Sequence, residues 1–132
     1  MASSRAIFAA IEREMLCRVS IEGARPRIFI LGPRFEETLR KHDEGRQRKA
    51  IRACADVVIG APGLLSARSD HPYRTGPAST ALPVTRSDGA IARRCYVEKN
   101  VPSALRLHYW VLLSGGLELA SVITHDKRDF PA

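Results

Sequence analysis

The chain has 132 residues, the length of a single domain, and its 45% hydrophobic and 27% charged residues exclude a chain that is disordered throughout. A net charge of +7 favours a polyanionic partner (nucleic acid, an anionic membrane surface or an acidic protein) over an inert basic surface. Three separated cysteines without a CxxC pair argue against a disulfide framework or zinc knuckle and favour a cytoplasmic protein, and no apolar run is long enough to span a membrane.

The first half of the chain predicts a helix, a strand and two further helices. Apolar residues at helical spacing predict an amphipathic helix over residues 4–18, and the charges within it argue against a secretory signal. This helix either packs on the domain, which we favour, or is an arm that binds a partner. The β-branched and aromatic run at 27–31 predicts a strand. Helical periodicity resumes at Arg34, and a further helix is predicted over residues 44–59, ended by Gly60.

The second half predicts a long loop and then three strands. Residues 62–90 are rich in Pro, Gly, Ser and Thr, which favours a functional or mobile loop without secondary structure. Strands are predicted at 91–97, 104–113 and 117–124, with a hairpin turn at 114–116. The order of elements therefore predicts an α+β fold, with helices collected on one face of an antiparallel sheet of three to four strands.

Strand periodicity assigns side chains to the two faces of this sheet. In the second of the three strands Arg106, His108 and Trp110 share the face that is not apolar. Strict alternation along the last strand predicts that His125, just beyond it, points to the same side as Leu117. A guanidinium group, an imidazole and an indole therefore come together on one surface of the sheet.

Short motifs stand at the joints of these elements. The predicted strand and helical hairpin read RIFILGPRFEETLRKH and RKAIRACADVVIGAPGL. The sheet and the terminus carry HPYRTGP, ARRCYV, ALRLHYWVLL and THDKRDF. In the order of its elements and in these segments, the chain resembles the RelE/ParE superfamily of bacterial toxins, which belong to type II toxin–antitoxin systems. The resemblance covers about residues 27–130, and it implies a toxin domain at 25–132 preceded by a helical extension at 1–24.

The resemblance implies a metal-independent, ribosome-dependent mRNA endonuclease that inhibits translation, without a cofactor, and with an acidic antitoxin as its partner. Other members of the family inhibit DNA gyrase. Cleavage of RNA by its own 2′-hydroxyl needs a base, an acid and cations on the phosphate. Histidine suits the proton transfers because its pKa lies near neutrality, and arginine suits the phosphate because its fork matches the phosphate oxygens.

The resemblance also implies roles for individual residues. His125 would be the acid–base group, and Arg106 would hold the scissile phosphate with Arg94 beside it. Phe130 stands where active nucleases of the family often carry tyrosine, so it can stack on a base but has no hydroxyl for proton transfer. Lys127 and Arg128 would add positive charge at the catalytic site. The residues implied to contact nucleic acid are Arg46, Arg48, Lys49, Arg52, Lys99 and Phe130.

Other interpretations stay open at this point. His125 can simply cap the sheet edge, and the basic half of the 44–59 helix can be a solvated face. The segment ITHDKRDF also resembles the end of PIN-domain nucleases, which hold magnesium or manganese with several carboxylates. However, Gly32 and Pro33 stand after the first strand, where that fold needs an acidic residue. The missing tyrosine hydroxyl favours two further alternatives, a gyrase inhibitor and a non-catalytic module that binds nucleic acid or protein.

Overall fold

A computed structural model describes residues 3–78 and 80–124. These residues fold into an α+β domain with four helices and a five-stranded sheet. Within the described residues, no helix is long and apolar enough to cross a membrane. The helices are α1 (Ser4–Leu16), α2 (Phe35–Arg40), α3 (Glu44–Ile59) and α4 (Pro62–Ala67). The strands are β1 (Phe29–Leu31), β2 (His71–Pro72), β3 (Ile91–Tyr96), β4 (Leu105–Val111) and β5 (Leu117–Thr124).

Local sequence signals set the ends of the two long helices. The Ser3 side chain accepts a hydrogen bond from the Ala6 backbone N–H at the start of α1, and Asp43 accepts one from Arg46 at the start of α3. Gly60 ends α3 in the left-handed conformation at φ +68°, which glycine adopts without steric cost. The predicted bounds of this helix are therefore confirmed.

The sheet is mixed, with strand order β1-β5-β4-β3-β2. β1 lies parallel to β5, with Phe29 opposite Leu117, while the other strand pairs are antiparallel. The prediction of an entirely antiparallel sheet of three to four strands was therefore wrong. A parallel pair needs a long crossover, and here three helices and three strands separate β1 from β5 along the chain.

The segment 62–90 is more ordered than its composition predicts. Pro62 occupies the first turn of α4, where its missing N–H costs no hydrogen bond. β2 then pairs with β3, and isolated bridges join Arg74 to Pro83 and Thr85 to Ile91. The sequence predicts a long loop here and leaves its order open, because these elements are too short to show a periodicity in sequence.

The helices pack on one face of the sheet around the main hydrophobic core. Ile7 and Ile11 of α1 are fully buried in this core, and Phe8 stacks on Phe29 with ring centroids 4.2 Å apart. Beyond the end of α1, Arg18 reaches the carboxylate of Asp56 in α3 at 2.5 Å. The first helix therefore packs on the domain, as we favoured, and is not a free arm.

The opposite face of the sheet, termed the outer face, carries a smaller apolar cluster at the β4–β5 hairpin end, around Trp110 and Ala120. The pairing of β4 with β5 shifts by one residue, so that Tyr109 faces Leu119 and His108 faces Ser121. Strict alternation along β5 was therefore a wrong prediction, because a bulge at Ala120 reverses the faces of the residues that follow. The position of His125 that rested on this alternation lies outside the described residues.

Candidate nucleic-acid interface on the outer sheet face

Two rows of side chains cross the outer face near the ends of β3 and β5. Each row follows the register from strand to strand, and opposite residues of antiparallel strands have Cβ atoms about 4.5–5.5 Å apart. The members of a row are therefore direct neighbours. The first row consists of His71, Arg94, His108 and Ser121, and the second consists of Tyr96, Arg106 and Ile123.

Arg106 is held against an aromatic ring. Its guanidinium carbon lies 3.8 Å from the centroid of Tyr96, and the ammonium of Lys99 lies 5.2 Å from the same ring. Arg106 also donates a long hydrogen bond of 3.3 Å to the backbone carbonyl of Glu98. Burial lowers the pKa of Arg106, and the nearby charge of Arg94 lowers it further. The ring thus places two cations side by side.

Arg94 lies against the ring of Tyr73 and directly opposite His108. Its guanidinium carbon is 5.2 Å from the Tyr73 ring, and its buried Nε has no hydrogen-bond partner among the described residues. His108 is fully buried and packs on Tyr73 at 5.1 Å between ring centroids. Burial, followed by the charges of Arg94 and Arg106, lowers the pKa of His108 to about 3. His108 is therefore neutral at physiological pH, and we assign it a role in packing the outer face rather than in chemistry.

Arg94, Lys99 and Arg106 are termed the basic cluster. In the part of the chain that the structure describes, none of them has a carboxylate within 4 Å. Two other arginines differ, since Arg93 of β3 pairs with Asp70 at 2.7 Å, and Arg86, in the segment before β3, pairs with Glu118 at 3.0 Å. Positive charge without a carboxylate partner is available to an anion from outside.

Two open clefts flank this cluster. The first, of about 430 Å³, is lined by Ser69, Tyr96, Lys99, Asn100 and Arg106 among others. The second, of about 260 Å³, lies near β2. Its lining residues are His71, Pro72, Tyr73, Arg74, Gly76, Pro77 and Arg94. Arginine, lysine and aromatic groups in adjoining clefts are suited to phosphates and bases of a single-stranded nucleic acid.

The basic residues of α3 occupy a different layer, because α3 packs against the other face of the sheet. Arg46 and Lys49 reach the carboxylate of Glu98 at 2.8 and 3.3 Å, so their charge is partly neutralised. Arg48 and Arg52 are exposed one helical turn apart. The structure therefore brings Arg94, Lys99 and Arg106 together but does not join them to the α3 residues.

The remaining predicted site residues, His125, Lys127, Arg128 and Phe130, lie outside the described residues. Sequence reasoning missed Tyr96 and His71 as members of this surface. The alternation of β3 carried a signal for Tyr96, which is two residues from Arg94 and shares its face. His71 carried no such signal, because the strand that contains it is only two residues long.

Comparison with known proteins finds no matching family model, curated protein or solved structure. Within residues 3–78 and 80–124, no group of three or more His, Cys, Asp or Glu side chains is arranged to hold a metal ion. The site is therefore characterised by its own geometry, which is a row of cations and aromatic rings across a sheet.

Proposed function

We propose that this chain is a RelE/ParE-like toxin of a type II toxin–antitoxin system that binds RNA on its outer sheet face and cleaves it without a metal ion. The observation that carries the proposal is the basic cluster. Arg94, Lys99 and Arg106 lie together beside aromatic rings, and no carboxylate among the described residues neutralises them. Guanidinium groups in this setting are suited to hold a phosphodiester and to stabilise the charge that develops on it.

The position of the end of β5 supports the proposal. β5 ends at Thr124, which pairs with Leu105, and the preceding pair joins Ile123 to Arg106. The last described residues of β5, which directly precede His125 in the sequence, lie beside Arg106 of the basic cluster. The α+β arrangement, with helices on one face and the cluster on the other, supports a RelE-like domain in which the sheet face meets RNA.

The proposal names the partners that the chemistry requires. The substrate is mRNA, bound on the ribosome, and the antitoxin is an acidic protein that covers the basic surface and suppresses cleavage. The alternative is a protein of the same family that arrests growth through DNA gyrase, favoured by Phe130 in place of tyrosine. A PIN-like metal nuclease is the weaker alternative, since its convergent carboxylates would have to include Asp126 and Asp129, outside the described residues.

Induced expression tests the proposal directly. Wild type is expected to arrest growth with loss of intact mRNA and of translation, while Arg106→Ala and His125→Ala relieve the arrest without loss of the fold. Arrest with intact RNA and inhibited supercoiling would support the gyrase alternative instead. Cleavage that stops in EDTA would favour a PIN-like nuclease, and wild-type-like toxicity in both variants would exclude the assigned residues.

A further inference from the structure

We propose that His71 is a second proton-transfer group of this site, acting as the base on RNA held in the cleft between Arg74 and Arg94. The inference deepens the proposed function and rests on it. It addresses a gap in the terminal segment, where Phe130 supplies no hydroxyl that can accept or orient a proton. A chain that cleaves RNA through the 2′-hydroxyl needs a group that removes that proton.

The strand register places His71 at the site. It lies directly opposite Arg94 in the β2–β3 pair, and Arg94 lies directly opposite His108. The His71 side chain is exposed, unlike that of His108, and lines the cleft of about 260 Å³ beside β2. His71 is thus the accessible imidazole of the row, next to an arginine that suits a phosphate.

A hydrogen bond orients the His71 ring. Its Nδ1 lies 2.7 Å from the backbone carbonyl of Ser69, and a carbonyl oxygen only accepts hydrogen bonds. Nδ1 therefore carries the proton, and Nε2 of the neutral ring presents a lone pair. The supporting turn is itself anchored, since Asp70 accepts hydrogen bonds from Arg93 and from the Tyr109 hydroxyl. An imidazole with this tautomer is prepared to accept a proton.

The same cleft holds cations for the phosphate. Arg74 donates one hydrogen bond to the Ala81 carbonyl, which fixes its side chain, and the buried Nε of Arg94 has no hydrogen-bond partner in residues 3–78 and 80–124. Neither arginine has a carboxylate within 4 Å among the described residues. A phosphodiester between these two guanidinium groups would place the preceding ribose within reach of His71.

The reaction that follows balances in protons and bonds. Nε2 of His71 takes the proton of the 2′-hydroxyl, and the 2′-oxygen forms a bond to phosphorus. The bond from phosphorus to the 5′-oxygen breaks, that leaving oxygen takes a proton from solvent water, and His71 afterwards returns its proton to the solvent. The products are a 2′,3′-cyclic phosphate and a 5′-hydroxyl. No redox step or co-reactant is required.

The test uses the purified full chain and ribosomes that carry a short mRNA oligonucleotide, with a matched oligonucleotide carrying a 2′-deoxy residue at the cut site to measure binding. His71→Ala is expected to lower the cleavage rate constant by about 10²–10⁴-fold, while affinity for the uncleavable oligonucleotide changes less than about threefold. His71→Asn retains a side-chain N–H for the Ser69 carbonyl, and we expect it to be as inactive as His71→Ala. The matched control is His42→Gln. In the wild type, the Val122 carbonyl accepts a hydrogen bond from the His42 ring at 3.0 Å, and glutamine keeps a donor for it. This variant should cleave like wild type.

The outcomes separate the two proposals. Wild-type cleavage rates in His71→Ala or His71→Asn would overturn the role of His71 and leave the proposed function standing. A wild-type chain that cleaves no RNA, alone or on ribosomes, would overturn the proposed function and the inference with it. Loss of cleavage accompanied by an altered circular dichroism spectrum in His71→Ala is resolved by His71→Asn, which must then be folded and inactive for the inference to hold.

Discussion

The guanidinium carbon of Arg106 lies 3.8 Å from the centroid of the Tyr96 ring. The electron-rich face of the ring attracts the cation, and the contact restricts a side chain that otherwise samples many rotamers. Arg106 is therefore already ordered when a phosphate arrives. Tyr96 acts as a positioning residue, since it contacts the arginine that would bind RNA.

Replacement of Tyr96 tests this relationship. Tyr96→Leu removes the ring face, and we expect a loss of about 0.5–2 kcal/mol in RNA binding, or roughly 2- to 30-fold in affinity. Tyr96→Phe retains the ring and is expected to bind like wild type. Fluorescence anisotropy with an uncleavable RNA oligonucleotide measures both. Equal losses in the two variants would instead assign the effect to the hydroxyl.

The salt dependence of RNA binding identifies which basic residues meet the phosphates. Each phosphate contact with a single strand contributes about −0.7 to the slope of log affinity against log salt. Arg94→Ala and Arg106→Ala are expected to make this slope shallower by about 0.7 each. Arg48→Ala and Arg52→Ala serve as matched controls on α3, and their slopes should equal that of wild type. Unchanged slopes in Arg94→Ala and Arg106→Ala, together with shallower slopes in Arg48→Ala and Arg52→Ala, would show that RNA binds the helical side of the domain instead.

Most helices and long strands were predictable, because each carries many residues with one periodicity. α3 shows this best, since its predicted bounds, its apolar face and its terminator Gly60 agree in sequence and structure. β2 was not predictable, because two residues carry no period. The parallel pairing of β1 with β5 depends on contacts far apart along the chain, which local patterns do not encode.

The candidate site was predictable only in part. Alternation along β4 placed Arg106 and His108 on the outer face, and the structure confirms this. The role of Glu98 was not predictable, because its contacts to Arg46 and Lys49 join residues about fifty positions apart. In sequence, Arg46 and Lys49 look like unpaired positive charges that could contact RNA. In the fold, their contacts to Glu98 hold the β3–β4 connection onto α3.

The pH dependence of stability should report on Glu98. Its hydrogen bond from Arg46, together with one from the Leu105 backbone, holds its pKa at about 2, below the ordinary value of 4.5. Because the folded-state pKa is the lower one, ionised Glu98 stabilises the fold above pH 4.5, and this stabilisation is lost as the pH falls toward 2. Glu98→Gln is therefore expected to lower stability at pH 7 and to flatten the dependence in this window.

Urea denaturation across this pH range measures the effect. Asp88 is the control, because its hydrogen bond from Arg86 also lowers its pKa to about 2 and adds to the same window. Asp88→Asn should remove only its own part of the slope and leave that of Glu98. A Glu98→Gln profile that parallels wild type would show that the Arg46 contact does not persist in solution.

Asp56 connects three helical segments. Its two oxygens accept hydrogen bonds from Arg18 at 2.5 Å and from Arg68 at 2.6 Å, and Arg68 also donates to the Tyr96 carbonyl. Asp56→Ala leaves Arg68 without a carboxylate partner among the described residues and Arg18 with Glu14 alone, which we expect to cost about 1.5–3 kcal/mol of unfolding free energy. Glu37→Ala removes an exposed pair as a control, expected to cost less than about 1 kcal/mol. Chemical denaturation at neutral pH compares them, and similar losses would contradict a structural role for Asp56.

A chain that starts at Met15 should not fold, because α1 supplies part of the core. Removal of residues 1–14 deletes the fully buried Ile7 and Ile11 and uncovers Phe29, on which Phe8 stacks. The milder variant Ile11→Ala is expected to cost about 2–5 kcal/mol of unfolding free energy, the usual range for a buried isoleucine. Leu16→Ala is the control, since that side chain is 72% exposed and should change stability by less than about 0.5 kcal/mol. A cooperative thermal transition in the shortened chain near that of the full chain would show that α1 is dispensable.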